Sequence, residues 1–176
     1  TPFPDRFGIP RQPALVPAAT GIIELIHTGP ESLKGIEGFS HLWLLWVFHQ
    51  AKGQRSVIRP PRLKGKGKVG IYASRSPHRP NPIGLSLVKL LSVKGRTLTV
   101  GGVDLLDGTP ILDIKPYLPY TDSLPTALAG WAADPVPVVP VTWEIEPPEN
   151  LKELIEQVLS INPRPNSHHK REHSLY

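Results

Sequence analysis

The chain has 176 residues, 39% of them hydrophobic, which is enough for one globular domain with a core and too little for a second full domain. The absence of cysteine excludes a disulfide framework and a thiolate metal site, and the 22 prolines argue against a helical bundle. No apolar run has the length of a membrane span, and the seven histidines are too scattered for a metal cluster, so a soluble protein is expected.

Charge is placed unevenly along the chain, although the net value is only +5. Residues 38–103, the basic stretch, contain no Asp or Glu and hold twelve of the twenty Lys and Arg residues. A block of one sign is typical of a surface that binds a polyanion. The alternative is a basic, solvated loop that has no partner.

The first residues are rich in turn formers and carry two polar side chains between prolines. Arg11 and Gln12 lie between Pro10 and Pro13. Because proline fixes its own φ and restricts the residue before it, this segment presents both polar side chains from a stiff backbone.

Two strands are predicted next. Residues 21–27 have the composition of a strand, and residues 41–50 are the most hydrophobic run, typical of a central strand buried on both faces. His49 and Gln50 lie where this second strand ends, a common position for ligand-binding side chains. The alternative is a strand-end histidine that is hydrogen-bonded to a loop.

Residues 65–70 match the dinucleotide fingerprint G-x-G-x-x-G. That fingerprint binds phosphates only between a strand and a helix. Here Pro60 and Pro61 precede it, and the strand-like residues 69–73 follow it. We therefore reject a Rossmann site and expect a flexible glycine–lysine loop.

The most constrained part of the sequence is residues 74–87. Its three prolines, at positions 77, 80 and 82, exclude a helix and precede an alternating, apolar strand. A preorganised loop suits a binding rim because little entropy is lost when a ligand docks. The alternative is a stiff corner with solvated arginines. The side chains that this loop would hold in fixed directions are Arg75, His78 and Arg79.

The next elements are predicted to be short. Residues 85–93 and 97–103 predict a hairpin, and Gly101 and Gly102 indicate a bulge or a close backbone approach. Residues 107–110 predict a turn between two strands.

The C-terminal part is predicted to contain one further strand and one helix. Asp113 and Lys115 share a face of their strand, so an ion pair there is as reasonable as a catalytic role. Residues 141–146 alternate like a strand, and Asn150 is expected to cap the helix. The apolar stripe of that helix comprises Leu151, Leu154, Ile155, Val158 and Leu159.

Taken in order, several of these pieces resemble the TsaA-like family of tRNA (adenine-N6) methyltransferases. The similarity spans about residues 3–165, and many short pieces in one order are more specific than any single motif. The pieces are residues 10–13, 38–43, 48–50, 59–62, 73–76, 79–84, 106–110 and 113–117.

The resemblance implies a mainly β fold with one C-terminal helix, namely a small single-sheet β-barrel and not a Rossmann fold. Residues 1–147 would form this cofactor-binding barrel. Residues 148–176 would form the helix and the start of a C-terminal segment, which is incomplete because family members have further strands at both ends.

The activity implied is a methyl transfer from S-adenosyl-L-methionine to N6 of threonylcarbamoyladenosine next to the anticodon of tRNA, by a cytoplasmic homodimer. No catalytic residue, metal, membrane or DNA partner is assigned. A non-enzymatic RNA-binding β-barrel is the alternative, and a hydrolase is disfavoured because the sequence has no nucleophile elbow.

Two sets of binding residues follow. By position in the family pattern, the cofactor contacts would be Pro10, Arg11, Gln12, His49, Gln50, Arg75, Leu85, Asp107, Gly108 and Thr109. The expected tRNA contacts are the basic residues Arg59, Arg62, Lys64, Lys66, Lys68 and Arg79.

Overall fold

The computed structural model of the chain describes residues 1–6, 8–63 and 67–162. The strands are β1 (Thr20–Glu24), β2 (His41–Val47), β3 (Val57–Ile58), β4 (Val69–Gly70), β5 (Ile83–Lys94), β6 (Thr97–Gly101) and β7 (Ile111–Pro116). Five of them form an antiparallel sheet in the order β1-β6-β5-β2-β7, and β3 and β4 pair separately. The helices are α1 (Pro119–Asp122) and α2 (Glu149–Ser160), and short 3-10 turns occupy several loops.

One face of the sheet carries the core because apolar residues alternate along its strands. In β2, Leu42, Leu44 and Trp46 are buried, while the residues between them are partly exposed. Leu154 and Val158 of α2 pack against this core, which explains the helical stripe in the sequence. The opposite face of the sheet is therefore only partly covered.

The predicted hairpin is confirmed. β5 and β6 pair through a two-residue turn at Gly95 and Arg96, and Gly95 has the positive φ of 58° that such a turn requires. The predicted close backbone approach is also found, because a Cβ on Gly102 would lie 3.2 Å from the carbonyl oxygen of Pro13.

The closed β-barrel is not what the described residues form. β1 and β7 are the edges of the five-stranded sheet, and each pairs with a single neighbour. A barrel requires the two edge strands to pair with each other, so the correct description is an open, mainly β sheet with one C-terminal helix of three turns.

Four local predictions need correction. β2 is fully buried on one face only, because the residues on its other face are partly exposed. Residues 141–146 form no strand, and their backbone bends at residues 144 and 145. Residues 69–73 are two residues of strand followed by a 3-10 turn. The helix begins before Asn150, with Pro148 at the cap position.

Candidate functional site

The end of β2 joins the loops that the sequence singled out. The backbone N–H of Val47 donates to the carbonyl of Pro110 at 3.1 Å, and that of Phe48 donates to the carbonyl of Pro82 at 2.8 Å. The end of β2 therefore lies next to two loops. One is the triple-proline loop, residues 74–82, and the other is the turn at residues 107–110. The fixed φ of Pro82 keeps its carbonyl on a stiff backbone, which defines the junction.

His49 and Gln50 follow that junction and are exposed. Their turn is closed by hydrogen bonds from His49 N to Val47 O at 2.8 Å and from Ala51 N to Phe48 O at 3.0 Å. The backbone of both residues is thus held in a short, defined turn at the end of a core strand, and their role in ligand binding stays a prediction.

Gln12 and Arg75 are in direct contact. Nη1 of Arg75 donates to Oε1 of Gln12, although the two residues are far apart in sequence. Gln12 precedes a 3-10 turn, Pro13–Leu15, while Pro10 is buried and Arg11 is exposed. The structure therefore brings the first predicted segment to the arginine of the triple-proline loop.

A hydrogen-bonded chain that the sequence did not reveal lies next to Arg75. Nε1 of Trp46 donates to Oγ of Ser86 at 2.9 Å, and Oγ of Ser86 donates to Oδ1 of Asp104. Burial raises the pKa of Asp104 to about 6, and the hydrogen bond from Ser86 and the charge of Arg75 partly offset that rise. The sequence did contain a signal for this group, because Asp104 is a single acid within the otherwise apolar residues 103–106.

The turn at residues 107–110 is fixed from within and from the start of the chain. Oγ1 of Thr109 donates to the carbonyl of Leu106 at 2.7 Å, and N–H of Asp107 donates to the carbonyl of Phe3 at 2.8 Å. Gly108 has a φ of 69°, a conformation that residues with a side chain rarely adopt. The carboxylate of Asp107 is exposed and also accepts from the amino group of Thr1 at 2.7 Å.

Leu85 is separated from these groups. It is 54% exposed and alternates with Ser86, which is buried in the core face of the sheet. Its side chain lies on the opposite, uncovered face, where it pairs with Leu45 of the neighbouring strand β2.

The basic residues predicted to contact tRNA have different surroundings. Arg62 donates to the carbonyls of Ala132 and Asp134, so its guanidinium is used to hold another loop. Arg79 donates to the carbonyl of Ser74 at 2.8 Å. Arg59 and Lys68 are exposed, whereas Lys64 and Lys66 lie outside the described residues.

Two concave regions are present on the surface. A cavity of about 310 Å³ is lined by residues 51, 53, 54, 77, 79, 80 and 82, and it adjoins the turn of His49 and Gln50. A cavity of about 450 Å³ lies between residues 138–141 and α2, away from the predicted site. Among the described residues, no three His, Asp or Glu side chains form a set that could hold a metal ion. No helix in the same part of the chain is both long and apolar enough to cross a membrane.

Comparison with a family model adds to this geometry. Residues 1–123 match the model described as the tRNA-methyltransferase O N-terminal domain. The matched range contains the end of β2, the triple-proline loop and the turn at residues 107–110.

Two curated relatives and one solved structure are similar over most of the chain. The tRNA (adenine(37)-N6)-methyltransferase of Escherichia coli is 43% identical over 94% of this chain and 78% of its own length. A Pseudomonas aeruginosa protein, named as a candidate S-adenosylmethionine-dependent methyltransferase, is 45% identical over 93% of this chain and 77% of its own. The crystal structure of TrmO from P. aeruginosa has a TM-score of 0.76 and 42% identity over 93% of this chain and 76% of that one.

Proposed function

The chain belongs to the family of the tRNA-methyltransferase O N-terminal domain, and we propose that it is an S-adenosylmethionine-dependent tRNA (adenine-N6)-methyltransferase. One observation carries the proposal. The range that matches the family model includes every predicted cofactor residue, from Pro10 to Thr109. Apart from Leu85, which lies in β5 on the other face of the sheet, those residues come from separate loops, and contacts at the end of β2 and between Arg75 and Gln12 join these loops.

The side chains present suit the chemical groups of the cofactor. Arg75 and Arg11 offer planar donors for a carboxylate, and Asp107 and Asp104 offer acceptors for an ammonium group or ribose hydroxyls. The turn at Gly108 adds a backbone that is fixed before any ligand arrives. These donors and acceptors match the carboxylate, ammonium and hydroxyl groups of an amino acid joined to a nucleoside.

The chain's own residues act mainly by binding and orientation. S-adenosylmethionine, when bound, supplies a methyl group on a sulfonium that is already electrophilic. Positioning the acceptor nitrogen against it is the entropic contribution that a rigid site makes best. The carbonyls of Pro82 and Pro110 support that role, because they hold the end of β2 against two stiff loops.

The substrate that we propose is tRNA with a threonylcarbamoyl group on N6 of the adenosine immediately 3′ of the anticodon. An acyl group on that nitrogen makes its N–H more acidic, so the transfer does not require a strong base. The basic stretch supports a tRNA partner because it supplies cations for phosphates. Because the substrate is tRNA, we expect the chain to act in the cytoplasm.

A homodimer is also part of the proposal. Ile83 and Leu85 of β5 are 49% and 54% exposed on the uncovered face of the sheet, next to the cross-strand residues Leu45 and Val47. An apolar face of this kind is costly in a monomer, and a second copy of the chain is the occupant that the family resemblance implies.

A methyl-transfer assay tests the function. The purified chain is incubated with methyl-labelled S-adenosylmethionine and with tRNA that either carries or lacks the threonylcarbamoyl group, and the digested nucleosides are analysed by mass spectrometry. We expect label only in the modified adenosine. Label in both tRNAs would remove the threonylcarbamoyl requirement. The alternative, a non-enzymatic RNA-binding protein, would be favoured by tight tRNA binding without methyl transfer. In that case, calorimetric titration with S-adenosylmethionine would also show no binding heat.

A further inference from the structure

Tyr72 is an exposed aromatic residue in the middle of the basic stretch. Its side chain is 77% exposed, although the residue before it, Ile71, is buried in the protein. A tyrosine ring that stays in water contributes little hydrophobic stabilisation to the fold. Packing therefore does not account for the position of this ring.

The backbone that carries Tyr72 is held from several sides. Tyr72 is the central residue of a 3-10 turn, Ile71–Ala73, and the N–H of Ile71 donates to the carbonyl of Ser56 at 2.9 Å. Nε1 of Trp131 donates to the carbonyl of Ala73 at 2.8 Å. The ring is therefore presented from a fixed base, which reduces the entropy lost when a partner binds it.

A guanidinium lies beside the ring. Cζ of Arg79 is 5.9 Å from the centroid of Tyr72, and the same side chain is tied to the carbonyl of Ser74. Arg79 also lines the cavity of about 310 Å³ that adjoins the turn of His49 and Gln50. The lining residues of that cavity include three prolines and no carboxylate. Arg79 thus adjoins both the aromatic ring and the cavity.

Flat faces of this composition are suited to one class of ligand. Unpaired bases in RNA loops are bound by stacking on aromatic rings and on guanidinium planes, while nearby cations bind the phosphates. The basic stretch that surrounds Tyr72 supplies those cations and contains no acid that would repel the backbone.

We propose that the exposed ring of Tyr72, with the guanidinium of Arg79 beside it, is a stacking site for an unpaired base of the tRNA loop. The proposal rests on the proposed function, because it takes the partner to be tRNA. It adds a specific nucleobase contact to a site that otherwise binds phosphates.

The test uses three variants and one probe. The probe is a fluorescein-labelled tRNA anticodon stem-loop, titrated with the wild-type chain and with Tyr72→Ala, Tyr72→Phe and Tyr120→Ala. Tyr120 is the matched control, because it is 86% exposed but lies in α1, outside the basic stretch. We expect Tyr72→Ala to weaken binding about 5- to 100-fold, the range for one lost base stack. Tyr72→Phe and Tyr120→Ala should bind like the wild type.

Two further measurements separate stacking from a general loss of structure or charge. Because a stack involves no counterion, the slope of log K against log salt should be the same for Tyr72→Ala and wild type. In addition, a second probe that carries 2-aminopurine at single loop positions should lose fluorescence at one position when it binds the wild type, and keep it when it binds Tyr72→Ala.

The outcomes are distinguishable. Wild-type affinity of Tyr72→Ala, or equal weakening by Tyr72→Phe, would overturn the stacking site while leaving methyl transfer by the wild type intact. A lower salt slope in Tyr72→Ala would also overturn it, since the contact would then be electrostatic. If the wild type binds no tRNA stem-loop and transfers no methyl group, the proposed function fails and the stacking site fails with it.

Discussion

Arg75 is proposed to contact the cofactor directly. Its guanidinium donates to Gln12, so one of its donors fixes its direction, and a guanidinium has further donors that could meet a ligand. Arg75→Lys keeps the charge but loses the planar fork. We expect it to cost about 1–3 kcal/mol of S-adenosylmethionine binding, measured by calorimetry, with tRNA affinity nearly unchanged.

The control for this variant is Arg96→Lys. Nε of Arg96 donates to the carbonyl of Leu25 at 2.8 Å in the turn between β5 and β6, so the substitution also removes one arginine hydrogen bond, away from the predicted cofactor residues. Cofactor affinity should not change in it. Wild-type cofactor affinity of Arg75→Lys together with weaker tRNA binding would instead assign Arg75 to the nucleic acid.

Asp104 should make stability depend on pH in an identifiable direction. Burial raises its pKa from 3.8 to about 6, so the folded chain binds this proton more tightly than the unfolded chain. The resulting stabilisation is complete below about pH 4 and is lost as the pH rises through about 6. Above that pH, the ionised carboxylate should cost about 3 kcal/mol of folding free energy.

Asp104→Asn removes this titration and keeps an oxygen that can accept from Ser86. Urea unfolding of both proteins across this pH range should show a small difference at low pH. The variant should become the more stable of the two as the pH increases. A difference that does not vary with pH would mean that Asp104 does not titrate in that range.

At the scale of elements, β2 and β5 pair closely at one glycine. A Cβ built on Gly84 would lie 2.2 Å from Cε2 of Trp46, whose indole N–H is bonded to Ser86. Gly84→Ala must therefore displace the indole, and we expect a loss of about 1–3 kcal/mol in unfolding free energy. Gly70→Ala is the control, because a Cβ there meets no atom of the described residues within 4 Å. Equal stability of the two variants would contradict this account.

The uncovered face of β5 should control the oligomeric state. Ile83→Glu places a charge on this apolar face, next to Val47 of β2. We expect the wild type to sediment as a dimer and the variant as a monomer. Ile145→Glu, at a position that is 85% exposed and outside the sheet, should remain dimeric. A monomeric wild type would remove the dimer from the proposal.

The elements show what local sequence can and cannot specify. The hairpin of β5 and β6 was predictable because alternation and a glycine turn are local signals. Residues 141–146 alternate equally well in sequence, but their backbone is irregular and bends at residues 144 and 145 instead of forming a strand. Closure of the sheet is likewise a matter of whether β1 meets β7, and no residue in either strand encodes that by itself.

The candidate site shows the same limit at the scale of the whole molecule. The sequence identified the loops because prolines and isolated polar residues mark them. It did not identify Asp104, because a single acid in an apolar run has no meaning until Ser86 and Arg75 are placed beside it. It also gave no reason to separate Arg62 from the other basic residues, since its two carbonyl partners lie about seventy residues away.

That separation leads to a prediction about how the whole molecule holds tRNA. Simultaneous replacement of Lys64, Lys66 and Lys68 by alanine should weaken tRNA binding and reduce the salt slope by about 2–3, one charge for each lost phosphate contact. Cofactor affinity should not change.

Arg62→Ala should behave differently, although it also removes positive charge from the basic stretch. Its guanidinium is bound to the carbonyls of Ala132 and Asp134, so the substitution frees a loop and should lower the unfolding free energy by about 1–3 kcal/mol. Binding measured at several salt concentrations, together with urea unfolding, separates the two kinds of basic residue. An unchanged salt slope in the triple variant would make those lysines a solvated loop. A reduced slope with normal stability in Arg62→Ala would transfer the phosphate contact to Arg62.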